Sequence, residues 1–498
     1  MKLRWIAMTF LGLCANVSAY DPVTHEAASE NAAKASVLAD RSYLARIGLK
    51  PESISSDIHN VFYSSEAIQL SIVELIKFGA NWEDSRRTSQ GKYHFFNPLT
   101  GGGKSMPPGF DDGPPSPNWA LEDKEQFADQ PFSYRKGRQY FLDALTKSNK
   151  SDRNNNWGMT FQTLGHVIHH LQDMAQPQHT RDDAHCDIWP CALTGAFGFS
   201  KTNIEEWTKI NAPATFFEGY APVYTKTDNS IFTSPRKFWA TSISIVGAGM
   251  AEYSNRGFFS AGTNVGSGFP FPTIDPNAGN KIDIQEACNA VITPTPCPPG
   301  LRGNITFFAT NVNDSYRPDQ SGVNTRATTH SVFDADLKRR SILPKFTVNR
   351  FTFDATNSFT LKRAVGYSAG MINYFFRGEM DLKEDLANLG KFAVKNGSNE
   401  TMGGTLSLHY DLEDGQRNRV AGFDVNVNPQ AEAAVTIPVS DFKEMPYRVD
   451  NEAYMMVFKG TLGEEKPMGA SPGAVMGTQI RIRNVFDIYD TLYQPESE

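Results

Sequence analysis

The spacing of apolar residues changes once along the chain, and that change limits the folds open to it. Helical spacing marks Ile68, Ile72, Leu75 and Ile76, the runs 132–145 and 160–175 (the latter stopped by Pro177), and Ala364, Tyr367, Met371, Ile372 and Phe375 within 361–377. From about Gly390 short runs alternate apolar and polar residues between turn signals: Leu406-Ser-Leu-His-Tyr410, Val420-Ala-Gly-Phe-Asp-Val-Asn-Val427, Tyr454-Met-Met-Val-Phe458 and Ile480-Arg-Ile-Arg483. Periods of 3.6 and 2 belong to different elements. The 498 residues also exceed the roughly 250 to 300 at which a single core stops growing. The expectation is a mainly α N-terminal domain over residues 20–385, then a small all-β, sandwich-like C-terminal domain over 390–498. A Gly-Pro-rich stretch, 101–117, interrupts the helical part. Residues 255–299, rich in Gly, Pro, Asn and aromatics, read as a long surface excursion that exposes Phe258, Phe259, Phe269 and Phe271.

Residues 1–19 have the layout of a secretory leader: Lys2 and Arg4, the apolar run Trp5 to Leu13, and Val17-Ser18-Ala19 as the cleavage site. The mature chain then begins at Tyr20 and is secreted, to the periplasm or beyond. The apolar run is shorter than the roughly 20 residues a membrane span needs, and no later segment reaches that length. Loss of Cys14 with the leader leaves Cys186, Cys191, Cys288 and Cys297 in an oxidising compartment. Pairing 186 with 191 and 288 with 297 is the economical arrangement, although four cysteines permit three connectivities and a structural zinc site competes. The formal charge of -7 falls to -9 without Lys2 and Arg4, the wrong sign for a chain that wraps nucleic acid.

Eight of the ten histidines lie between His25 and His185. The informative segment is Leu164-Gly-His-Val-Ile-His-His-Leu-Gln-Asp-Met-Ala-Gln-Pro-Gln-His179. His169 and Asp173, four apart, share a helix face and can grip one metal, while His179 beyond Pro177 can address a second. His166 and His170 share a different face and read as supporting or ordinary helix residues.

With its Leu-Gly-x3-His-x3-Asp-x3-Pro-x-His string, this segment resembles the zinc-dependent phospholipase C and single-strand nuclease superfamily, in its bacterial secreted phospholipase C branch. The resemblance implies that the amine and carbonyl of the first mature residue, here Tyr20 where tryptophan is common, bind zinc together with His25. It implies a bridging aspartate, Asp84 in Gly79-Ala-Asn-Trp-Glu-Asp84, with Glu83 as the competing carboxylate, and a further histidine, His94, in the box His94-Phe-Phe-Asn-Pro98. Asn97 stands where many relatives have aspartate. Relatives close the remaining site with His-x3-Glu, but no histidine precedes Glu205 or Glu206 at that spacing, so His185 and Glu205, in preference to Glu206, are the implied ligands. The implied cofactor is Zn2+, three per molecule, held by Tyr20, His25, Asp84, His94, His169, Asp173, His179, His185 and Glu205. Imidazoles and carboxylates without thiolate suit zinc. The likeness spans residues 20–378, its last part being the helix 363–377. Clostridial-type phospholipases C also append a β-sandwich.

The implied reaction is phosphodiester hydrolysis by in-line attack of hydroxide generated at zinc, with Asp84 as bridging ligand and candidate general base. For a phospholipid the products are diacylglycerol and a phosphorylated head group. The acidic mature chain, the β-domain and the aromatic loops 196–199 and 268–272 favour a phospholipid surface over nucleic acid. A nuclease or nucleotidase on the same metals would want an aromatic stacking pocket for a base. The missing His-x3-Glu also leaves a catalytically silent membrane- or surface-binding protein. Metal content separates silence from catalysis, and substrate panels separate lipid from nucleotide.

Overall fold

The computed structural model describes residues 21–49, 54–56, 68–85, 91–106, 111–124, 126–127, 130–182, 204–227, 231–242, 247–258, 279–289, 302–330, 334–341, 346–388, 390–438, 441 and 453–482. Helices fill the first part. Helix α1, Pro22–Ala35, is capped by Asp21, whose side chain accepts from Val23 N, with Pro22 opening the first turn. Then come α2, Ile72–Ser85, α3, Tyr134–Thr146, α4, Lys150–Asp173, α5, Ile204–Asn211, α6, Met250–Gly257, and α7, Phe353–Phe375. Helix α4 begins well before residue 160 because Asn149 caps it, accepting from Ser151 N, and Asp152 sits in the positive first turn.

Every residue of α4 from Thr160 to Asp173 is buried, so the expected half-apolar face is replaced by burial all round. It packs against α1, α2, α3 and α7. The surrounding core includes Ala28, Leu75, Ile76, Phe141, Leu164, Ile168, Leu171, Met371 and Phe375. His166, His169, His170, Gln172 and Asp173 therefore lie inside, where polar groups need partners.

Two features differ from the sequence reading. Phe258, expected on the surface, is fully buried in the main core, in ring contact with Tyr253 and Phe359. Phe259, Phe269 and Phe271 lie outside the described residues. An antiparallel sheet also interrupts the helical part: β1, Asn280–Asp283, β2, Asn304–Val312, β3, Gly322–His330, and β4, Phe346–Thr347, in spatial order 1-2-3-4. Its Thr- and Asn-rich strands bury only a small cluster of Phe308, Ala327 and Phe346, too weak an apolar signature to read from the sequence.

The C-terminal part is a sandwich of two antiparallel sheets. Its strands are β5, Met380–Glu384, β6, Lys391–Asn396, β7, Met402–Asp411, β8, Arg417–Val427, β9, Glu432–Thr436, β10, Ala453–Leu462, and β11, Ala474–Arg481. One sheet has the order 8-7-10-11 and the other 9-6-5. Between them lie Phe392, Val394, Leu406, Leu408, Met456, Phe458 and Met476. Strand β10 lacks alternation because both faces are covered: Tyr454, Met456 and Phe458 face the sandwich core, Met455 and Val457 the helical core. The fold is thus a helical N-terminal half joined to an all-β sandwich. No helix among the described residues is long and apolar enough to cross a membrane. The leader, Tyr20, His185, Cys186, Cys191, Cys297 and the Cys288 side chain lie outside the described residues.

Candidate metal centre

Two glycines decide how closely the scaffold helices meet. A Cβ on Gly165 of α4 would lie 2.2 Å from the carbonyl oxygen of Ile76, and one on Gly79 of α2 would lie 2.0 Å from that of Gln162. The two backbones touch there. That contact brings the Ala80 carbonyl within 2.7 Å of His169 Nδ1, which donates to it, and sets the end of α2 beside the last two turns of α4.

Five buried side chains converge in the space so formed. His25 comes from α1, Asp84 from α2, His94 from the segment after it, and His169 and Asp173 from α4. His94 Nδ1 lies 2.7 Å from Asp173 Oδ2, 3.2 Å from His169 Nε2 and 3.8 Å from Asp84 Oδ1. His169 Nε2 is 3.4 Å from Asp84 Oδ1 and 3.5 Å from Asp173 Oδ1. His25 Nε2 is 3.4 Å from Asp173 Oδ1 and 4.0 Å from Asp84 Oδ2, and its ring stacks on His169 with centroids 3.8 Å apart.

The outer nitrogens of two rings fix their tautomers. His169 uses Nδ1–H on Ala80 O. His25 uses Nδ1–H on Gln172 Oε1 at 2.7 Å, since the Gln172 amide nitrogen donates to the hydroxyls of Ser29 and Ser368. Both Nε2 lone pairs then face the carboxylates. Neither oxygen of Asp84, nor Oδ1 of Asp173, meets a hydrogen-bond donor among the described residues. Lone pairs set against buried, undonated carboxylate oxygens are mutually repulsive, and a cation at their centre turns the repulsion into ligation. Within this set, His25, His169 and Asp173 offer ligand atoms within 4.8 Å of one another, as do Asp84, His94 and His169. The donor set, imidazoles with two carboxylates, fits zinc.

Burial lowers His25 and His169 well below the usual imidazole range, with neighbouring imidazoles adding to it. Burial raises Asp84 to about 6, against the pull of His94 and His25. Burial likewise raises Asp173 well above its ordinary value, with His170 opposing and Asp84, Glu83 and Glu205 adding. Without a cation burial biases the pocket toward neutral rings and, for Asp173 and for Asp84 below about 6, toward protonated acids.

The other sequence candidates divide. His179, in the turn Pro177–Thr180, donates from Nδ1 to His94 O at 2.8 Å and stacks on Phe95, and its own carbonyl accepts from Phe96 N. It is buried directly against the His94 box. Glu205 is buried at the start of α5, within 3.5 Å of the Gln176 amide, whereas Glu206 beside it is only half-buried. Glu83 also offers an oxygen within 4.8 Å of ligand atoms of His94 and His170, but both of its oxygens already have donors: Oε2 accepts from His166 Nδ1 at 2.5 Å, and Oε1 from His170 Nε2 and Trp119 Nε1, each at 3.1 Å. The sequence reading missed Trp119 and Gln172. Gln172 stands next to Asp173, but its partner His25 is 147 positions away, and no local spacing signals that pairing.

Neither the known protein families nor the curated proteins give a match to the chain. Among solved structures it is similar to the α-toxin of Clostridium perfringens, avian strain SWCP, with a TM-score of 0.28 and 10% identity over 94% of this chain and 98% of that one. It is also similar to the α-toxin of Clostridium absonum, with a TM-score of 0.24 and 10% identity over 83% and 85%. At these scores the relationship is a distant structural one and supports no residue-by-residue correspondence.

Proposed function

We propose that the chain is a secreted zinc-dependent phosphodiester hydrolase of the phospholipase C type, cutting the glycerol-side phosphodiester of a phospholipid such as phosphatidylcholine. One observation supports this above the rest: the acceptor atoms of His25, Asp84, His94, His169 and Asp173 converge in a buried space that gives Asp84 no hydrogen-bond donor among the described residues. Such a set holds a divalent cation better than it holds itself. The remaining ligands in this reading are Tyr20, freed by cleavage after Ala19, with His179, His185 and Glu205, for three zincs in all.

Bound zinc supplies Lewis acidity, lowering the pKa of water toward ~7 and neutralising charge that builds on phosphoryl oxygens. The protein's own part is orientation and proton handling. Ala80 O and Gln172 Oε1 hold the rings of His169 and His25, so that each Nε2 points inward. Asp84, with both oxygens undonated, is the acceptor for the proton of an attacking water. Water adds at phosphorus, the bond to the glycerol oxygen breaks, and diacylglycerol leaves with the proton.

The test is elemental analysis of the processed protein beside a form extended by one residue before Tyr20, with both assayed on phosphatidylcholine vesicles and on single-stranded DNA. About three zincs in the native form, fewer in the extended one, and release of phosphocholine are the expected results. DNA cleavage without lipid cleavage would replace the substrate. A protein that takes up no zinc would remove the catalytic reading.

A further inference from the structure

Behind the five converging side chains lies a second polar group that the proposed chemistry does not use. Glu83 is wholly buried, and its two oxygens accept from three donors on two different elements: His166 Nδ1 and His170 Nε2 on α4, and Trp119 Nε1 on the short helix Ser116–Leu121. His166 is itself fixed by Phe132, stacked on it with centroids 4.0 Å apart and planes 9° apart. His170 reaches back toward the cluster: its Nδ1 is 3.9 Å from Asp173 Oδ2, and its ring lies 4.6 Å from that of His94.

We propose that Glu83 is the positioning residue of the metal cluster: anchored by His166, His170 and Trp119, it sets the rotation of the last turn of α2 and so aims Asp84 at His25, His94 and His169. The inference rests on reading that cluster as a zinc site. Adjacent helical residues point about 100° apart, so fixing one fixes the other. Asp84 has no donor among the described residues to orient it, while Glu83 has three. Glu83 also lies within ligand reach of His94 and His170, but a carboxylate already supplied with donors gains least from a cation, and one without any gains most, which favours Asp84 as the ligand. Outer partners that orient ligands change metal affinity without changing metal count.

The test uses the full mature protein. Glu83→Gln keeps the shape but turns an amide N–H2 toward one of the imidazole N–H groups. Zinc stoichiometry by elemental analysis, zinc affinity by chelator competition and urea unfolding of the metal-free form are measured together. Expected are an unchanged stoichiometry and an affinity lower by about 10- to 100-fold, beyond any change in metal-free stability. A zinc affinity equal to that of the wild type overturns the proposal and leaves Glu83 a packing residue. Loss of one zinc, with the others held as tightly as before, overturns it in favour of Glu83 as a ligand. Should Glu83→Gln not fold, His170→Gln and His170→Phe decide: the first retains a donor to Glu83 and should keep most of the affinity, the second should lose it, and equal affinities overturn the proposal. Wild-type protein that binds no zinc removes the underlying metal reading, an outcome separate from all of these.

Discussion

At the scale of single residues, the two aspartates carry an electrostatic cost that protonation or a bound cation relieves. Burial raises Asp84 from 3.8 to about 6 in the metal-free protein. For a group whose pKa is raised on folding, the stabilising contribution is present below the unfolded value, near 3.9, and is lost as pH rises through about 6. Metal-free Asp84→Asn should therefore match the wild type near pH 3.5 and exceed it progressively above that, by up to about 3 kcal/mol at pH 7. His25 and His169 slope the opposite way: their lowered values favour the folded state above about 6.5 and lose that contribution as pH falls. The variant lacks the Asp84 charge that raises His25, so the comparison is decided at pH 7, above that window. Urea midpoints in chelator check this, and equal stability at pH 7 would refute the account. Zinc should stabilise the wild type and fail to stabilise the variant to the same extent. His169 and Asp173 were legible from spacing alone because one helix carries both. His25, Asp84 and His94 came into view only through the resemblance, since their partners stand on other elements.

At the scale of elements, the crossing of α2 and α4 governs the site. Gly165 was visible as part of the Leu-Gly-x3-His string, but its reason was not, because the atom it spares is the Ile76 carbonyl oxygen on another helix. Gly165→Ala puts a methyl 2.2 Å from that oxygen and 2.8 Å from Ala80 N, backbone atoms that yield only if the helices separate. Overpacking of this kind costs about 1 to 3 kcal/mol, and more where backbone must move. Separation also lengthens the bond from His169 Nδ1 to Ala80 O, so zinc affinity should fall along with the thermal midpoint. A variant with wild-type midpoint and zinc content would show that the crossing has slack. The sequence reading was strongest for helices with an apolar stripe, as in 132–145 and 361–377. It also placed the enclosed helix 160–173 and strand β10, although burial on all sides blurs their periodicity, and was weakest where polar strands bury little, as in β2 and β3.

At the scale of the whole molecule, one buried carboxylate ties the helical half to the sandwich beside the apolar contacts of Met455 and Val457. Glu465, in the turn after β10, has a side chain only 9% exposed. Arg138 of α3 binds it with Nε at 2.7 Å and Nη2 at 2.8 Å. Arg377, just past α7, reaches it at 2.5 Å while donating to Leu462 O and to Glu400. Burial alone would raise Glu465, but Arg138 and Arg377 outweigh it and hold the carboxyl at about 2. For a group depressed on folding, the stabilising contribution is present above the unfolded value, near 4.3, and is lost as pH falls through about 2. Glu465→Gln takes the carboxylate from buried Arg138 and leaves Arg377 only Glu400, and breaking a buried pair in this way typically costs about 3 to 5 kcal/mol. At pH 7 the variant should unfold at correspondingly lower urea, and its acid-side loss between about pH 4 and 2 should be shallower than that of the wild type, so that the two converge near pH 2. Its zinc content should match the wild type, because the five converging residues stand on α1, α2, α4 and the His94 segment, and none lies on the sandwich. Loss of zinc together with stability would mean that the sandwich supports the metal centre across this seam, while unchanged stability would reduce the Glu465 cluster to one contact among many.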